Sequence, residues 1–225
     1  MKAQLLTWIS VALSALAINR RWMTWNLFLA FIPVALSIWL FRLSRQRSIL
    51  WWLGLLVFFA FLPNAPYVLT DILHLVYDIR EGYSIWIITL VLVPLYLFFI
   101  LGGFQAYVMS LINLGYYLHK QGKSHYILAV ELITHALSAI GIYLGRFQRF
   151  NSWDLITQPD ALADSIIDDL ASKGPVLIIA ITFVIVAALY WLMKQLSLGF
   201  LLRMRQKFSD RPLYDQRSED TSARL

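Results

Sequence analysis

The feature that most constrains this chain is an apolar segment that is interrupted before it is long enough to cross a bilayer. The segment begins at Ile49 and is broken by Pro63 and Pro66 in the sequence FLPNAPYVLTDILHL. As a helix, residues 49–62 would rise about 21 Å, against the roughly 30 Å of hydrocarbon in a membrane. Because proline donates no backbone hydrogen bond, the break frees carbonyl groups, which a membrane tolerates only against protein or a polar cavity. The sequence therefore predicts a broken span whose break is the centre of the protein's function.

The composition is that of an integral membrane protein. Of the 225 residues, 60% are hydrophobic and only 14% are charged, which excludes an ordinary soluble domain. Nine tryptophans and eleven tyrosines suit the aromatic belts at the two membrane interfaces. The isoelectric point near 9.6 comes from basic residues spread over short loops and a tail, so no nucleic-acid partner is predicted.

An all-α, polytopic transmembrane helical bundle of about six spans is the predicted fold. The predicted spans are residues 3–18, 25–41, 49–70, 85–113, 126–144 and 175–198, and the third contains the Pro63/Pro66 break. A cleaved signal peptide is the alternative for the first segment, but Arg20 and Arg21 directly after it argue against cleavage there. Residues 1–201 form a single membrane domain, and residues 202–225 are predicted to be a basic, disordered cytoplasmic tail.

The distribution of Lys and Arg predicts the orientation in the inner membrane. With six spans, thirteen basic residues fall on one side, which is therefore predicted to be cytoplasmic and to hold both termini. The opposite side holds Arg20, Arg21, Arg80, Arg146, Arg149 and Lys173. The polar segments after the third and fifth spans then lie together on the outer face.

Between the fifth and sixth spans, residues 159–172 are predicted to form an amphipathic surface helix. Leu162, Ile166, Ile167 and Leu170 lie on one stripe, and Pro159 suits a first helical turn. Two interpretations stay open: a lid over the outer polar cluster, or a solvated connector.

Eight residues are candidates for an outer binding site, since they occur in two polar segments that flank long apolar runs. They are Asn64, Tyr67, Asp71 and His74 on one wall, and Arg146, Arg149, Asn151 and Asp154 on the other. The arginine pair suits a phosphate or carboxylate, and a carboxylate beside an imidazole suits a general base. Each set also has a structural interpretation, in which Asp71 caps a helix and the arginines anchor the loop.

Glu131 and His135 lie four residues apart inside the fifth span and therefore share one helix face. A carboxylate in hydrocarbon costs several kcal/mol unless it is neutral or paired, so such residues are functional candidates by default. They are predicted to relay protons, to bind a cation, or to bond each other and a neighbour such as Gln105.

Several kinds of chemistry lack support in the sequence. It has no cysteine, no nucleotide-binding glycine loop and no HExxH helix, and no third ligand is evident beside Asp71 and His74. No metal site is predicted, and no cofactor can be named.

Three motifs carry a resemblance to a known family: NLFLAFIP from Asn26, FLPNAPYVLTDILHL from Phe61, and GRFQRFNSWD from Gly145. Over residues 26–198 the chain resembles the bacterial domain-of-unknown-function family 1361, a family of multi-pass membrane proteins. The resemblance implies a bacterial inner-membrane protein and points to no particular activity or catalytic residue.

The leading hypothesis is that an anionic small molecule or lipid headgroup binds in a polar pocket at the extracytoplasmic face. One alternative is an enzyme acting on a lipid-linked or periplasmic substrate, with His74 as base, oriented by Asp71. Another is a proton-coupled carrier that uses Glu131 and His135. Besides the bilayer itself, the anionic ligand is the one partner predicted, and the oligomeric state is left open.

Overall fold

The computed structural model describes residues 2–209, in which helices are joined by short loops and no strand occurs. Three long helices, α1 (Lys2–Ile38), α6 (Val93–Lys120) and α10 (Lys173–Ser209), are joined to shorter ones. The shorter helices are α2 (Ile49–Phe61), α3 (Asn64–Tyr67), α4 (Ile72–Arg80), α5 (Ile85–Ile87), α7 (Ile127–Tyr143), α8 (Asp154–Thr157) and α9 (Pro159–Ala171). The all-α membrane bundle predicted from the sequence is confirmed.

Tighter or wider helical turns continue several of these helices. Wide π turns at Trp39–Leu43, Ile88–Leu92 and Leu144–Gln148 extend α1, lead into α6 and extend α7, respectively. Narrow 3-10 turns at Val68–Asp71 and Ser124–Tyr126 join α3 to α4 and lead into α7. The helices group into five apolar segments that are long enough to cross a membrane: Leu6–Leu43, Ile49–Arg80, Ile85–Lys120, Ser124–Gln148 and Lys173–Met204.

The structure thus has five candidate spans within the described residues, where the sequence predicted six. The predicted first and second spans, residues 3–18 and 25–41, lie on the single helix α1. Arg20 and Arg21 indicated a loop, but no helix-breaking residue stands between the two segments. The Asn19 side chain donates a hydrogen bond to the Ala15 carbonyl of the same helix and another to Asp78 of the second span, so this polar point belongs to a helix contact. Five crossings place the chain ends on opposite sides of the membrane, whereas six place them on the same side.

The predicted break in the span after Ile49 is present. Regular α-helix ends at Phe61, and a short α3 and a 3-10 turn follow before α4 begins. The Asn64 side chain donates to the Phe61 carbonyl at 2.9 Å, which satisfies one of the backbone groups at the break. The Pro63 ring lies so close to Gly141 that a Cβ there would come within 2.8 Å of it. The break is therefore packed against α7, as backbone in a membrane requires.

Helix α6 lies at the centre of the bundle and contacts α1, α3, α7 and α10. Its buried side chains include Tyr96, Phe104, Tyr107 and Leu111. Gly103 of α6 faces Val68, and a Cβ at Gly103 would come within 2.8 Å of both methyl groups of that valine. Nothing lies within 4 Å of a Cβ at Gly102. Of the adjacent glycines, only Gly103 is needed for close helix packing.

We expect Gly103→Ala to lower the free energy of unfolding by about 1–3 kcal/mol, because the added methyl overlaps a β-branched side chain that is fully buried. Gly102→Ala is the matched control and should be neutral or stabilising by up to about 1 kcal/mol, since alanine favours helix. Unfolding of both purified variants in mixed detergent measures the difference. Equal effects of the two substitutions would contradict the assignment of Gly103 as the packing residue.

The amphipathic surface helix predicted at residues 159–172 is α9, Pro159–Ala171. Leu162 and Ile166 are partly buried, whereas Ile167 is 65% exposed and is not part of the covered stripe. The side chain of Leu170, the fourth residue of the predicted stripe, lies outside the described part of the structure. The Asp169 carboxylate holds α9 to the end of the fourth span, because it accepts hydrogen bonds from Gln148 at 3.2 Å and from Tyr143 at 3.4 Å.

The C-terminal tail was predicted to begin at residue 202. Helix α10 continues to Ser209, so residues 202–209 belong to the last helix. Residues 210–225 of the predicted tail lie outside the described residues.

Candidate functional site

The two predicted walls of the outer site meet at Asp71 and Arg146. The 3-10 turn ending at Asp71 faces the π turn that carries Arg146, and Arg146 Nη1 lies 4.0 Å from Asp71 Oδ1. Asp71 is 1% exposed, and its Oδ2 accepts a hydrogen bond from Asn26 Nδ2 at 2.9 Å. The Asp71 carboxylate is thus enclosed between α1 and the fourth span, and both of its oxygens face protein groups.

His74 lies beside this carboxylate without being oriented by it. Its Nε2 is 3.9 Å from Asp71 Oδ1, which is beyond hydrogen-bond distance. The imidazole instead lies against Trp22, with ring centroids 4.6 Å apart, and its side chain is 43% exposed. In the enzyme alternative Asp71 orients this base; in the structure the two side chains are at ion-pair distance and do not share a hydrogen bond.

A cavity of about 630 Å³ lies next to this contact, between α2, α7, the break and α9. Four of the eight predicted site residues line it: Asn64, Tyr67, Arg149 and Asn151. The other four, Asp71, His74, Arg146 and Asp154, are not among the lining residues. Most of the wall is apolar, so the predicted polar pocket is a largely apolar cavity with a polar rim.

The rim consists of the break and of the segment after the fourth span. Asn64 Nδ2 donates to Ser152 Oγ at 2.9 Å, which links the two sides of the rim directly. Tyr67 packs on Gly145, where a Cβ would come within 3.2 Å of the tyrosine ring. From α9, Leu162 and Ile166 reach the same cavity, as expected of the lid interpretation.

Arg149 ends the fourth span in an unusual backbone conformation. Its φ of 62° lies in the left-handed region, which non-glycine residues rarely adopt. The backbone N–H groups of Arg149 and Phe150 both donate hydrogen bonds to the Leu144 carbonyl, as is typical of a helix C-terminus. Among the residues that the structure describes, no carboxylate pairs with the Arg149 side chain, which is exposed at the cavity rim.

Asp154 has a structural position within the same segment. Its Oδ2 accepts hydrogen bonds from the Asn151 backbone N–H at 2.6 Å and from Asn151 Nδ2 at 3.4 Å, and its Oδ1 accepts from Thr157. It was predicted to bind ligand, and in the structure its oxygens close the turn between Asn151 and α8. Short aspartates bond locally to backbone in this way.

Glu131 and His135 are buried at a separate level of the bundle and do not bond each other. Glu131 Oε1 accepts hydrogen bonds from Tyr190 at 2.6 Å and from Lys194 at 2.5 Å. His135 Nδ1 bonds the Tyr107 hydroxyl at 2.8 Å, and its ring lies 4.6 Å from that of Tyr190. Gln105, the partner suggested by the sequence, bonds Ser197 instead.

Sequence reasoning missed several polar residues that complete these contacts. Asn19 and Trp22 of α1 form a hydrogen-bonded cluster with Asp78 and Tyr96, and Asn26 holds Asp71. A signal was available: Asn19 and Asn26 are seven residues apart, as are Asp71 and Asp78. Seven residues make nearly two helical turns, so each pair shares a face, and the two faces meet in antiparallel register.

The chemistry that these groups allow is anion binding. Arg149 offers a fork of guanidinium donors at the cavity rim, and the Ser152 hydroxyl, which accepts the bond from Asn64, can donate its own proton there. Within the described part of the chain, no three His, Cys, Asp or Glu side chains come together as metal ligands would.

Comparisons with known proteins place the chain in a family. No curated protein and no solved structure matches it. The family model described as "Protein of unknown function (DUF1361)" matches residues 25–188. Because this match covers most of the chain, including both sides of the cavity rim, the chain belongs to the DUF1361 family.

Proposed function

We propose that this membrane protein binds a small anionic group, a phosphate or carboxylate, at the extracytoplasmic rim of the cavity. The group is carried by a small molecule or by a lipid headgroup. The observation that carries the proposal is the position of Arg149, an arginine at the rim of a cavity of about 630 Å³ with no carboxylate partner among the described residues.

Arg146 and Arg149 differ in whether a carboxylate of the protein balances their charge. Arg146 is 21% exposed and faces the buried Asp71, so its charge is balanced within the protein. Arg149 is exposed, and two other residues of the rim, Asn64 and Ser152, bond each other rather than an acid. A guanidinium at the mouth of an apolar cavity favours phosphate and carboxylate ligands, which it can bind through two parallel hydrogen bonds.

The backbone of Arg149 supports the same interpretation. A non-glycine residue in the left-handed region costs on the order of 1 kcal/mol relative to glycine, which is the usual residue at this position after a helix. The chain has arginine there in spite of that cost. A binding role for the side chain accounts for a residue that the fold itself does not favour.

Charge distribution gives the proposed orientation in a bacterial inner membrane. The loops after α1 and after α6 carry Arg45, Arg47, Lys120 and Lys123, and they lie at the opposite end of the bundle from the cavity rim. This basic end is cytoplasmic by the positive-inside rule, so the rim is extracytoplasmic. With five spans the C-terminal end lies in the cytoplasm and the N-terminal end outside. In this arrangement Lys2 changes from the cytoplasmic to the outer side, and the cytoplasmic side still carries more Lys and Arg residues than the outer side.

We expect Arg149→Gln to raise the Kd for glycerol 1-phosphate by about 10- to 100-fold, because a hydrogen bond to a charged group contributes about 1.5–3 kcal/mol. Arg149→Gly should lose the same affinity and at the same time raise the melting temperature, since glycine relieves the left-handed backbone. Ligand-induced thermal stabilisation of the purified protein measures both effects.

Arg80→Gln is the matched control, since Arg80 is an exposed arginine that does not line the cavity. It should keep the wild-type affinity. Wild-type affinity in folded Arg149→Gln protein would end the proposal, and equal losses in Arg80→Gln and Arg149→Gln would reduce it to nonspecific attraction of anions.

A further inference from the structure

We propose that the ligand is an anionic lipid, whose headgroup lies at Arg149 and whose hydrocarbon chain lies in the apolar part of the cavity and leaves into the bilayer between α2 and α7. The inference rests on the proposed function and names the chemical class of its ligand. It follows from the shape and the lining of the cavity below the rim.

The cavity is too apolar and too deep for a free anion alone. Below Asn64 and Arg149, its wall is formed by Leu29, Leu56, Phe59, Ala60, Leu137 and Ile140. Leu56 lies seven residues before Pro63, so this wall extends about 10 Å below the rim by helical rise. A phosphate needs only the rim, whereas an apolar wall of this depth matches a hydrocarbon chain, which passes from the bilayer into the cavity without contacting water.

The apolar part of the cavity is continuous with the bilayer-facing surface of the bundle. Leu56 on α2 is 63% exposed and Leu137 on α7 is 52% exposed, yet both also line the cavity. Trp25, on the α1 side, is 54% exposed and has the same double position. Because these residues line the cavity and are also more than half exposed, we take them as the edges of the proposed lateral opening.

The helix packing explains why the opening lies there. Helix α2 packs on α1, and α7 packs on α10 and α6. The second span meets α7 chiefly through α3, where the Pro63 ring lies against Gly141. Because the proline break moves this contact to the level of α3, the space between α2 and α7 is left as the cavity.

On the aqueous side, α9 covers the same cavity. Leu162 and Ile166 face it, and the hydrogen bonds of Asp169 to Gln148 and Tyr143 hold the helix in place. The lid covers the apolar part of the cavity and leaves Arg149 exposed at the rim, so a charged headgroup stays in contact with water while the hydrocarbon chain enters from the side. The acidic face of α9, with Asp160, Asp164 and Asp168, stays exposed.

The test compares a lipid with its own headgroup. Wild-type protein is transferred to nanodiscs of phosphatidylcholine containing phosphatidylglycerol, and bound lipid is counted by native mass spectrometry. Binding of the water-soluble glycerol 1-phosphate is measured separately. Ala60→Trp fills the apolar part of the cavity, and Leu128→Trp is its matched control, because Leu128 is 66% exposed on α7 and does not line the cavity.

We expect Ala60→Trp to reduce bound phosphatidylglycerol at least tenfold while keeping the affinity for glycerol 1-phosphate, and Leu128→Trp to change neither. Should Ala60→Trp fail to fold, Leu137→Trp on the opposite wall takes its place with the same expected result. Unchanged phosphatidylglycerol in the folded filled variant would overturn the lipid inference, and so would loss of both ligands. The proposed function is tested separately, by the affinity of Arg149→Gln for glycerol 1-phosphate.

Discussion

Replacing Lys194 with methionine is expected to lower the free energy of unfolding by about 3–5 kcal/mol, the largest effect of any single substitution considered. The Lys194 ammonium lies 2.5 Å from Glu131 Oε1, and the Glu131 side chain is only 10% exposed. Removing the ammonium leaves a carboxylate inside the bundle whose remaining bond is to the neutral Tyr190 hydroxyl. A carboxylate in that position loses much more in hydration than the hydroxyl returns.

The double variant Glu131→Gln/Lys194→Met distinguishes the effect of an unpaired charge from the effect of lost side-chain packing. It should lose far less than Lys194→Met alone, about 1 kcal/mol, because neither charge is left without its partner. Lys173→Met is the matched control, since Lys173 is exposed at the other end of the same helix α10. Unfolding in mixed detergent gives all three values. If Lys194→Met were no more destabilising than Lys173→Met, the ion pair would contribute nothing to the fold.

The loss of stability in Lys194→Met should be large because few other interactions attach α10 to the bundle. Only 11% of the most apolar stretch of this span is buried inside the protein, which is the lowest share among the five spans. Lipid solvates apolar helix surface about as well as protein does, so association in a membrane depends on close packing and on polar contacts. The contacts of α10 with Glu131 and the bond from Gln105 to Ser197 supply the polar part.

Local rules predicted the elements that depend on backbone chemistry. The break at Pro63 and Pro66 follows from the missing N–H groups, and α9 follows from its apolar stripe. The continuity of α1 could not be predicted in the same way, because Arg20 and Arg21 resemble a loop unless the bond from Asn19 to Asp78 is known. That bond joins residues far apart in the sequence, and it turns a polar interruption into a helix contact.

The candidate site was predictable in its place and less so in its chemistry. The expectation that the broken span at residues 49–70 meets the end of the span at residues 126–144 is confirmed by the contact between Asp71 and Arg146. Which polar residues remain available for a ligand depends on partners that sequence does not show. Asn26 encloses Asp71, and the turn at Asn151 occupies Asp154. Lys194, one of the thirteen basic residues that the sequence analysis counted on the cytoplasmic side, pairs with Glu131.

Asp71→Ala is expected to destabilise the fold by about 2–4 kcal/mol and to leave the affinity for glycerol 1-phosphate close to that of the wild type. The substitution removes the acceptor of the Asn26 bond and leaves the mostly buried Arg146 without its carboxylate. Hydrogen bonds to charged groups contribute about 1.5–3 kcal/mol, and an unpaired buried partner adds to the loss. The affinity should persist because Asp71 is 1% exposed and does not line the cavity.

Asp164→Ala is the matched control, an exposed carboxylate on α9 whose loss should change stability by no more than about 0.5 kcal/mol. The double variant Asp71→Ala/Arg146→Met should recover part of the lost stability, because it also removes the unpaired guanidinium. The opposite pattern, full stability with lost affinity in Asp71→Ala, would make Asp71 a ligand contact, as the sequence first suggested. It would also move the binding site from the rim at Arg149 to the contact between Asp71 and Arg146, and the two arginines would then exchange the roles assigned to them.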